Sequence, residues 1–503
     1  MIRRLPIAPA LFAALVTVAG TAVAQPVRPT PEGAARLKAI IDAEWERLDQ
    51  LMPEGFVFAR DGTVSVEIAG MSYRVRMPRT RLDMMGEASL DLGVMEAIGR
   101  PGPDETVELT SPLPGLVPAR ELASGKTLAE LRIGSGTSRV VYSMRDGRAA
   151  SSATEANDIG LAISGDDTKS LTVSRIAFEE RGTTLADGRR DDESQFTIEG
   201  VEFTDTQSDA YVGIGRVAAR GRSKGVDRAA VEALNVGFAA FARAAERGEA
   251  DAGRLLPLIP RLRDVADGIE ATVEMADMAV YAPDGTGLEL GRLAYGAAVT
   301  GLRSGWSRVE LGFSLSDLAF DGIPVPEAAV PERIALRLAL DRIPNAVIGD
   351  AVQERTERAA KGEDPTQAAP ALGLGLLGAL TQAETEFRIE EAALITSAFG
   401  LSADGAAKLD PASPMMATAT LGVTLSGLER VGPLLDELPM MNPRERTDAR
   451  AVLALIQALG QPASDAGGKP ARRYVFAVDP AGRLTLNGAD LQPIIESITR
   501  MVR

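Results

Sequence analysis

The side chains that most often do chemistry in proteins are missing from this sequence. It contains 503 residues and has neither histidine nor cysteine. Histidine is the commonest general base and metal ligand, and thiolate chemistry needs cysteine. Ser-His-Asp triads, cysteine nucleophiles and most zinc sites are therefore excluded, and no disulfide can form. The 70 Asp and Glu residues are the main groups left for acid–base chemistry.

Carboxylates leave two kinds of chemistry open. A glycosidase needs only two Asp or Glu side chains, which the fold sets at the correct separation. The densest acidic group is Asp187, Asp191, Asp192 and Glu193. Its oxygens could hold Ca²⁺, but its spacing is not that of an EF-hand loop, and we interpret it as a solvated hairpin loop. We predict no catalytic, cofactor-binding or metal-binding residue, and a carboxylate-dependent glycan hydrolase is the enzymatic alternative.

Two short motifs resemble known signatures only in part. Gly125-Lys126-Thr127 matches the end of a phosphate-binding loop, but Arg120 stands where such a loop needs its first glycine. We interpret it as a turn before a helix. None of the seven lysines has a serine three residues earlier, so the sequence predicts no Ser-Lys nucleophile pair of that spacing.

The chain is acidic overall, with a formal net charge of −16. Such a surface argues against nucleic acids and anionic lipid headgroups as main partners. One basic run interrupts it, and we interpret this run as a charged, exposed linker. Its members are Arg216, Arg220, Arg222, Lys224 and Arg228.

The N-terminus is typical of a secretory signal. Arg3 and Arg4 precede an apolar stretch, and Ala22-Val23-Ala24 forms a small-residue cleavage site. An uncleaved membrane anchor is the alternative, because the apolar run approaches the length of a bilayer span. We expect cleavage between Ala24 and Gln25 and an exported, periplasmic protein with no transmembrane segment in the mature chain.

One apolar spacing recurs along the chain and predicts the elements that would position any site. Apolar residues occupy positions i, i+2, i+5 and i+7. Strict alternation marks a half-buried strand, and the extra residue in the middle predicts a β-bulge that bends it. The spacing occurs at Leu171–Phe178, Phe196–Phe203, Val273–Val280, Phe313–Phe320 and Phe387–Leu394, with an incomplete copy from Val423.

Helical spacing appears in only a few places. Thr30 and Pro31 begin a helix that continues to Pro53 and packs on its own sheet, and further helices are predicted at 226–247, 427–438 and 446–459. Residues 100–120 hold five prolines and predict a loop. We predict a signal peptide at 1–24, a β-rich domain at 25–345, a helical or charged linker at 346–370, and a second β-rich part at 371–503 that continues the same sheet.

Two stretches resemble a known family. They are Pro331–Leu340, which leads to Arg342-Ile343-Pro344, and Gly482–Leu491. Together with the exported N-terminus they resemble the bacterial envelope family called domain of unknown function 2125. This resemblance implies an exported, β-rich protein, and it implies no activity, cofactor or catalytic residue.

The expected fold is therefore α+β and β-dominated, with large curved antiparallel sheets, bulged strands and a few covering amphipathic helices. The hypothesis for function is a non-enzymatic envelope protein that binds a lipid, another elongated apolar ligand or a partner protein in the curved sheet. A scaffold with no small ligand is the other alternative. The candidate apolar-ligand face comprises Phe178, Phe203, Phe313, Phe320, Leu374 and Leu377.

Overall fold

A computed structural model describes the chain at residues 28–52, 55–246, 255–258, 261, 263–323, 325–361, 369–437, 442–465 and 467–491. The predicted signal segment and its cleavage site lie outside these residues. The chain divides into two compact units, one ending at Ala266 and one beginning at Asp267. The segment 346–370, which we predicted to be a linker, falls within the second unit. Antiparallel strands dominate both units in a large open sheet arrangement, which confirms the predicted β-dominated class.

The described helices largely follow the predicted spacing. They are α1 (Pro31–Leu51), α2 (Arg228–Glu246), α3 (Asn345–Ala360), α4 (Ala369–Gln382), α5 (Leu428–Glu437) and α6 (Pro443–Leu459), with a 3-10 turn at Glu327–Ala329. The predicted start of α1 is confirmed. Thr30 Oγ1 accepts a hydrogen bond from the Gly33 N–H at 3.0 Å, and Pro31 is the first helical residue. This cap satisfies one of the backbone donors that a helix start leaves free.

Thirteen strands are described in the first unit. They are β1 (Phe56–Asp61), β2 (Ser65–Ala69), β3 (Ser72–Arg76), β4 (Arg79–Met84), β5 (Ala88–Gly93), β6 (Glu96–Gly102), β7 (Thr106–Pro112), β8 (Leu116–Glu121), β9 (Thr127–Ser143), β10 (Arg148–Ile163), β11 (Asp166–Thr184), β12 (Arg190–Asp205) and β13 (Ala210–Val226). On one edge of β9, its first half pairs with β8 and its second half with β7. Strands β10 to β13 follow in order from its other edge.

Helix α1 and the strands near β9 share one apolar core. Leu37 and Ile41 of α1 are 0% and 2% exposed, and Leu82 of β4 is also 2% exposed. The Trp45 ring meets Phe58 edge-on, with the centroids 5.5 Å apart. The prediction that this helix packs on the protein's own sheet is confirmed.

Eleven strands are described in the second unit. They are β14 (Gly268–Tyr281), β15 (Gly287–Thr300), β16 (Trp306–Asp321), β17 (Pro331–Pro344), β18 (Glu386–Thr396), β19 (Gly400–Leu409), β20 (Ala417–Ser426), β21 (Gln461–Ser464), β22 (Pro470–Val478), β23 (Leu484–Leu486) and β24 (Ala489–Asp490). Each of β14 to β19 pairs with the next strand, and β20 pairs with β22. Helix α6 packs at the β20–β22 end, where the Tyr474 hydroxyl donates to the Ile456 carbonyl at 2.7 Å.

In strands with the recurring apolar spacing, one residue interrupts the alternation of side chains between the two sheet faces. These residues lie opposite one another in neighbouring strands and form a line across the sheet. Asn157 pairs with Arg175 and Ile159 with Val173, so Asp158 lies opposite Ser174 with the same register on both sides. We call such a line a crease. The crease of the first unit passes through Gly134, Asp158, Ser174, Gly200 and Gly215, and that of the second unit through Asp277, Gly291 and Asp317.

The crease keeps apolar side chains on one face of the sheet. Strict alternation would place Val173 and Ile176 on opposite faces, because they are three residues apart. Instead Ile176 belongs to a cluster against which Val173 also packs. Some residues at these positions adopt the left-handed backbone conformation, with φ of +54° at Asp158 and +63° at Gly200. In β18 the register instead shifts, between Ile389 and Glu391 against β17 and between Ile389 and Ala392 against β19.

The prediction of a loop over residues 100–120 is wrong. The segment contains the end of β6, all of β7 and all but the last residue of β8. Val107 and Leu109 are 3% and 2% exposed and alternate with polar residues, which is the period of a half-buried strand. Pro112 ends β7, a position at which a strand tolerates proline. The number of prolines concealed this alternation.

The linker prediction for the basic run is also wrong. Arg216, Arg220, Arg222 and Lys224 lie in β13, and Arg228 is the first residue of α2. The four strand residues are separated by even numbers of positions, so they share one face. Their regular spacing reflects the period of a strand that is polar on that face.

Candidate functional site: an apolar sheet face

One face of the sheet in the second unit is apolar across many neighbouring strands. Cross-strand partners project from the same face, so the register defines rows of neighbouring side chains. Four rows run from β14 to β18, and all their members are apolar or aromatic. They are Ile269–Val299–Val309–Leu340–Phe387, Ala271–Ala297–Leu311–Leu338–Ile389, Val273–Tyr295–Phe313–Leu336–Ala392 and Met275–Leu293–Leu315–Ile334–Leu394. We call these rows the apolar face of the second unit.

Large side chains on this face are exposed. Tyr295 is 52% exposed, Leu311 44%, Phe387 42%, Leu336 41% and Phe313 39%. Single exposed apolar residues are normal in folded proteins, whereas contiguous apolar patches mark binding or association sites. Because these five side chains belong to three neighbouring rows, they form a patch.

The opposite face of the same strands is polar and ion-paired. Arg308 donates hydrogen bonds to Glu310 at 2.5 Å, to Asp341 at 2.6 Å and to Glu390 at 2.5 Å. These bonds raise the pKa of the Arg308 guanidinium above its usual range. Arg292 pairs with Glu274 at 2.6 Å on the same face. Ion pairs join strands on this face, whereas the four described rows of the apolar face contain no charged residue.

Burial is inverted between the two faces. Ala335 and Ala339, on the ion-paired face of β17, are 5% and 1% exposed, whereas Leu336, on its apolar face, is 41% exposed. In the register, Ala339 lies between Glu310 and Arg388, whose long side chains flank it. In a folded protein, leucine side chains are ordinarily buried, and residues on a polar face are ordinarily exposed. Because its large apolar side chains are exposed, the apolar face is suited to bind another molecule.

The first unit has a corresponding face, which is better covered. Its rows from β9 to β13 include Leu131–Leu161–Leu171–Phe203–Val212, Ile133–Ile159–Val173–Val201–Ile214 and Ser138–Thr154–Phe178–Phe196–Ala219. Leu113 packs on Ala156 and Ile159, which are 0% and 7% exposed. The other face again carries ion pairs, with Arg175 at 2.9 Å from Glu155 and 3.4 Å from Glu199.

The structure places the six predicted face residues in different surroundings. Phe178 and Phe203 are half-buried in separate rows of the first unit. Phe313 lies between Tyr295 and Leu336 in the second unit, and Phe320 pairs with Leu288 beyond the crease. Leu377 is half-buried on α4, and the side chain of Leu374 lies outside the described residues. Phe313 is therefore the predicted residue that the exposed patch contains.

Sequence reasoning missed Tyr295, Leu311 and Leu336. Tyr295 had a signal, because Leu288, Leu290, Leu293 and Tyr295 of β15 follow the same i, i+2, i+5, i+7 spacing. In the first unit, the same spacing recurs at Val212, Ile214, Val217 and Ala219 of β13. Leu336 lies in plain alternation with Leu338 and Leu340, which predicts a strand but not which face stays exposed.

The glycines of α4 do not mark a close contact. A Cβ atom built on Gly375 or Gly378 would meet no atom within 4 Å. An apolar run that contains glycines is compatible with a buried element or with the close approach of another backbone or a lipid tail. The structure forms a helix there, with open space beside both glycines.

The acidic group near residue 190 is held largely by arginines. Asp187 accepts a hydrogen bond from Arg189 Nε at 2.6 Å, and Glu193 pairs with Arg222 at 2.9 Å. Asp191 to Glu193 lie in β12, so placing them in a hairpin loop is wrong. Among the described residues, no three Asp or Glu side chains come together in a way that could hold a metal ion.

The partial phosphate-loop motif lies in a turn before a strand. Gly125 has a φ of +70°, and Thr127 begins β9. The expected helix after this turn is wrong, because Leu131 and Ile133 follow the alternation of a strand. The site therefore lacks the strand–loop–helix context that a nucleotide-binding motif needs.

No family model, curated protein or solved structure matches this chain. The resemblance to domain of unknown function 2125 therefore stays a prediction. Among the described helices, none combines the length and the apolar character needed to cross a bilayer.

Proposed function

We propose that this chain is an exported, non-enzymatic protein that binds an elongated apolar molecule, such as the acyl chains of a lipid, on the apolar face of the second unit. The observation that carries the proposal is the inverted burial of that face. Tyr295, Phe313 and Leu336 adjoin one another in one row and are each more than a third exposed. An apolar ligand would remove these side chains from water together.

The dimensions and energetics of the face suit such a ligand. Neighbouring strands lie about 4.8 Å apart, so the rows from β14 to β18 extend across about 20 Å. Burial of apolar surface contributes about 25 cal/mol per Å², or about 0.8 kcal/mol for each CH₂ group that leaves water. A chain lying along a row would therefore gain affinity with its length. The four rows contain no charged residue, and the Tyr295 hydroxyl is the only polar side-chain group in them, so little on the face would select one chemical end of the ligand.

The finer features of the predicted fold belong to this proposal. The creases and the register shift in β18 would curve the sheet around the ligand, because such irregularities increase strand twist and bending. Helix α6, which packs near β20 and β22, would cover one end of the face. Export with cleavage after Ala24 would place the protein in the periplasm, where envelope lipids are accessible.

Mass spectrometry of the gently purified full-length protein tests the proposal. We expect a co-purifying lipid or other apolar molecule in the organic extract. Its absence, together with failure of the delipidated protein to bind an apolar fluorescent probe, would contradict the proposed function.

Substitution at Phe313 tests the location. Phe313→Asp places a charge in the centre of the patch, and we expect at least about tenfold weaker probe binding, equivalent to about 1.4 kcal/mol. Thr420→Asp is the matched control, because Thr420 is exposed on the opposite face of β20. Equal losses in both variants would place the binding elsewhere.

A scaffold function is the second candidate, and the same exposed patch favours it. Two copies could cover each other's apolar faces, since large apolar patches also serve protein association. Sedimentation across a concentration range separates the candidates. A stable dimer that Phe313→Asp dissociates, with no co-purifying lipid, would favour the scaffold.

A further inference from the structure

The apolar face of the first unit ends in a cluster of charged side chains. Beyond the pair Phe178–Phe196, the register continues with Glu180–Ser194, Gly182–Asp192 and Thr184–Arg190. Successive pairs two residues apart project from the same face. Glu180, Asp192 and Arg190 therefore occupy the face that carries apolar rows nearer the crease. Ser152 of β10, opposite Glu180 in the register, is 0% exposed.

Arg190 anchors this charged cluster to the sheet. Its side chain is 8% exposed, and it donates hydrogen bonds to the Ala149 and Ala150 carbonyls at 3.1 and 2.6 Å. It also contacts Asp192. A Cβ atom on Gly182 would lie 1.6 Å from Arg190 Nε, so only glycine leaves room for the guanidinium. The guanidinium of Arg190 thus bonds to other groups of the protein.

Two further arginines at the cluster form long ion pairs. Arg228, the first residue of α2, has Asp192 Oδ1 at 3.9 Å, and Arg148, the first residue of β10, has Glu232 Oε2 at 4.0 Å. Both distances exceed those of hydrogen bonds. Their side chains are 29% and 35% exposed, so both remain accessible. A planar guanidinium binds phosphate through two parallel hydrogen bonds, a geometry that neither ion pair provides.

The surroundings of these groups favour a ligand that carries both signs of charge. Burial and the neighbouring Arg190 lower the pKa of Arg228, and Arg148 acts in the same direction, so an anion near Arg228 would be stabilised. Burial raises the pKa of Glu180, so a cation near its carboxylate would be stabilised too. Arg47 lies 3.8 Å from Glu232 and 2.9 Å from Glu44. The four arginines Arg47, Arg148, Arg190 and Arg228 therefore balance the four carboxylates of Glu44, Glu180, Asp192 and Glu232 in formal charge. A purely anionic ligand would meet as much repulsion as attraction here.

We propose that this charged cluster receives a zwitterionic headgroup, with a phosphate between Arg148 and Arg228 and an ammonium group facing Glu180 and Glu232. The proposal extends the proposed function from the second unit to the first, since the chains of an amphiphile bound at this cluster would lie on the adjoining apolar rows of the first unit. It specifies the ligand class as a lipid whose headgroup joins a phosphate to an amine. The phosphate chemistry alone could also come from a free phosphoester.

Competition binding with the full-length protein tests the proposal. The probe is a neutral apolar fluorophore bound to the Phe313→Asp variant, in which binding to the second unit is weakened, and the competitors are a short-chain phosphatidylethanolamine, a phosphatidylglycerol of the same chain length, a long-chain alcohol and free phosphoethanolamine. We expect the phosphatidylethanolamine to compete about tenfold better than the phosphatidylglycerol or the alcohol, and phosphoethanolamine alone not to compete. Equal competition by the three amphiphiles would overturn the proposal.

Variants at the two arginines locate the headgroup. Arg148→Gln with Arg228→Gln should abolish the preference for phosphatidylethanolamine and leave alcohol binding within about twofold of the parent value. Arg175→Gln is the matched control, because Arg175 forms ion pairs on the other face of the same sheet. Arg228→Lys keeps the charge but loses the paired donors, and it should lose part of the preference even if the double variant unfolds. A preference that survives both sets of substitutions would contradict the assignment.

The outcomes also separate this proposal from the proposed function. If the alcohol binds but no headgroup preference exists, the apolar-ligand function stands and the headgroup site fails. If no amphiphile binds the parent protein, the proposed function itself fails. If amphiphiles bind the parent protein but not Phe313→Asp, the proposed function stands and the first-unit site fails. Direct binding of phosphoethanolamine without chains, seen by calorimetry at the affinity of the lipid, would replace the lipid site by a free phosphoester site.

Discussion

At the scale of single residues, the creases depend on pairs in which one partner lacks a side chain. Gly134 lies opposite Asp158, and Gly291 lies opposite Asp317. A Cβ atom on Gly134 or Gly291 would approach the Asp Cβ to 2.8 or 2.7 Å, closer than real Cβ contacts. Asp317, with a φ of +58°, already adopts the left-handed conformation that aspartate tolerates better than most residues. The spacing of apolar residues placed one extra residue in each strand, and only the register shows that neighbouring strands share this position.

Gly291→Ala should therefore destabilise the protein by about 1–3 kcal/mol, the usual cost of overpacking. Gly312→Ala in the adjacent strand is the control, since its nearest neighbouring atom to a Cβ would be 3.9 Å away. Urea unfolding measures both. Equal stability of the two variants would show that the close approach at Gly291 carries no strain.

Glu180 makes stability depend on pH. Burial raises its pKa above the ordinary glutamate value, and Asp192 adds to this, while Arg190 and Arg228 oppose it. The folded protein therefore holds the proton more tightly than the unfolded chain does. This contribution to stability is complete below the unfolded pKa and is lost as pH rises through the folded pKa.

Glu180→Gln should remove that loss. We expect the variant to gain stability relative to the parent as pH rises from about 4 to 7, because only the parent must ionise a buried carboxyl group. Thermal unfolding at several pH values measures the difference. A parent protein that becomes more stable relative to the variant over this range would show that the arginines outweigh burial.

At the scale of elements, the sequence predicts a helix or strand well where one period runs without interruption. Helix α1 is an example, because its cap, its first proline and its apolar stripe all agree. Strand β7 was missed because Pro112 at its end and Pro103 in the preceding turn outweighed a short alternation in the prediction. The basic strand β13 was missed because its charges suggested a linker, although they follow a period of two. In both cases pairing with neighbouring strands stabilises a strand, although the local composition suggested a loop or a linker.

The difference in burial between helix α1 and the apolar face gives a stability prediction. Ile41→Ala in α1 removes a side chain that is 2% exposed, so we expect a loss of about 2–5 kcal/mol. Leu336→Ala on the apolar face removes one that is 41% exposed, and it should cost about 1 kcal/mol or less in the ligand-free protein. Chemical denaturation of delipidated protein compares them. Similar losses would mean that the apolar face is already packed in solution.

At the scale of the whole molecule, each unit carries one apolar and one ion-paired sheet face. Composition and spacing predicted the β-dominated class and the apolar positions. They could not predict which face stays uncovered, because that depends on where α1, α6 and the ion pairs of β16 to β18 lie after folding. The charged cluster near Arg190 was also hidden, since its members come from β10, β11, β12 and α2. Only pairing across the sheet brings them together.

Photo-crosslinking tests the central claim most directly. A lipid with a photoreactive group in its acyl chain is bound to the full-length protein and irradiated, and the modified peptides are identified by mass spectrometry. We predict adducts on Tyr295, Phe313, Leu336 and their neighbours in the apolar rows. Adducts concentrated on the ion-paired face, around Arg292 and Arg308, or distributed equally over both faces, would contradict the proposal that the apolar face binds the ligand.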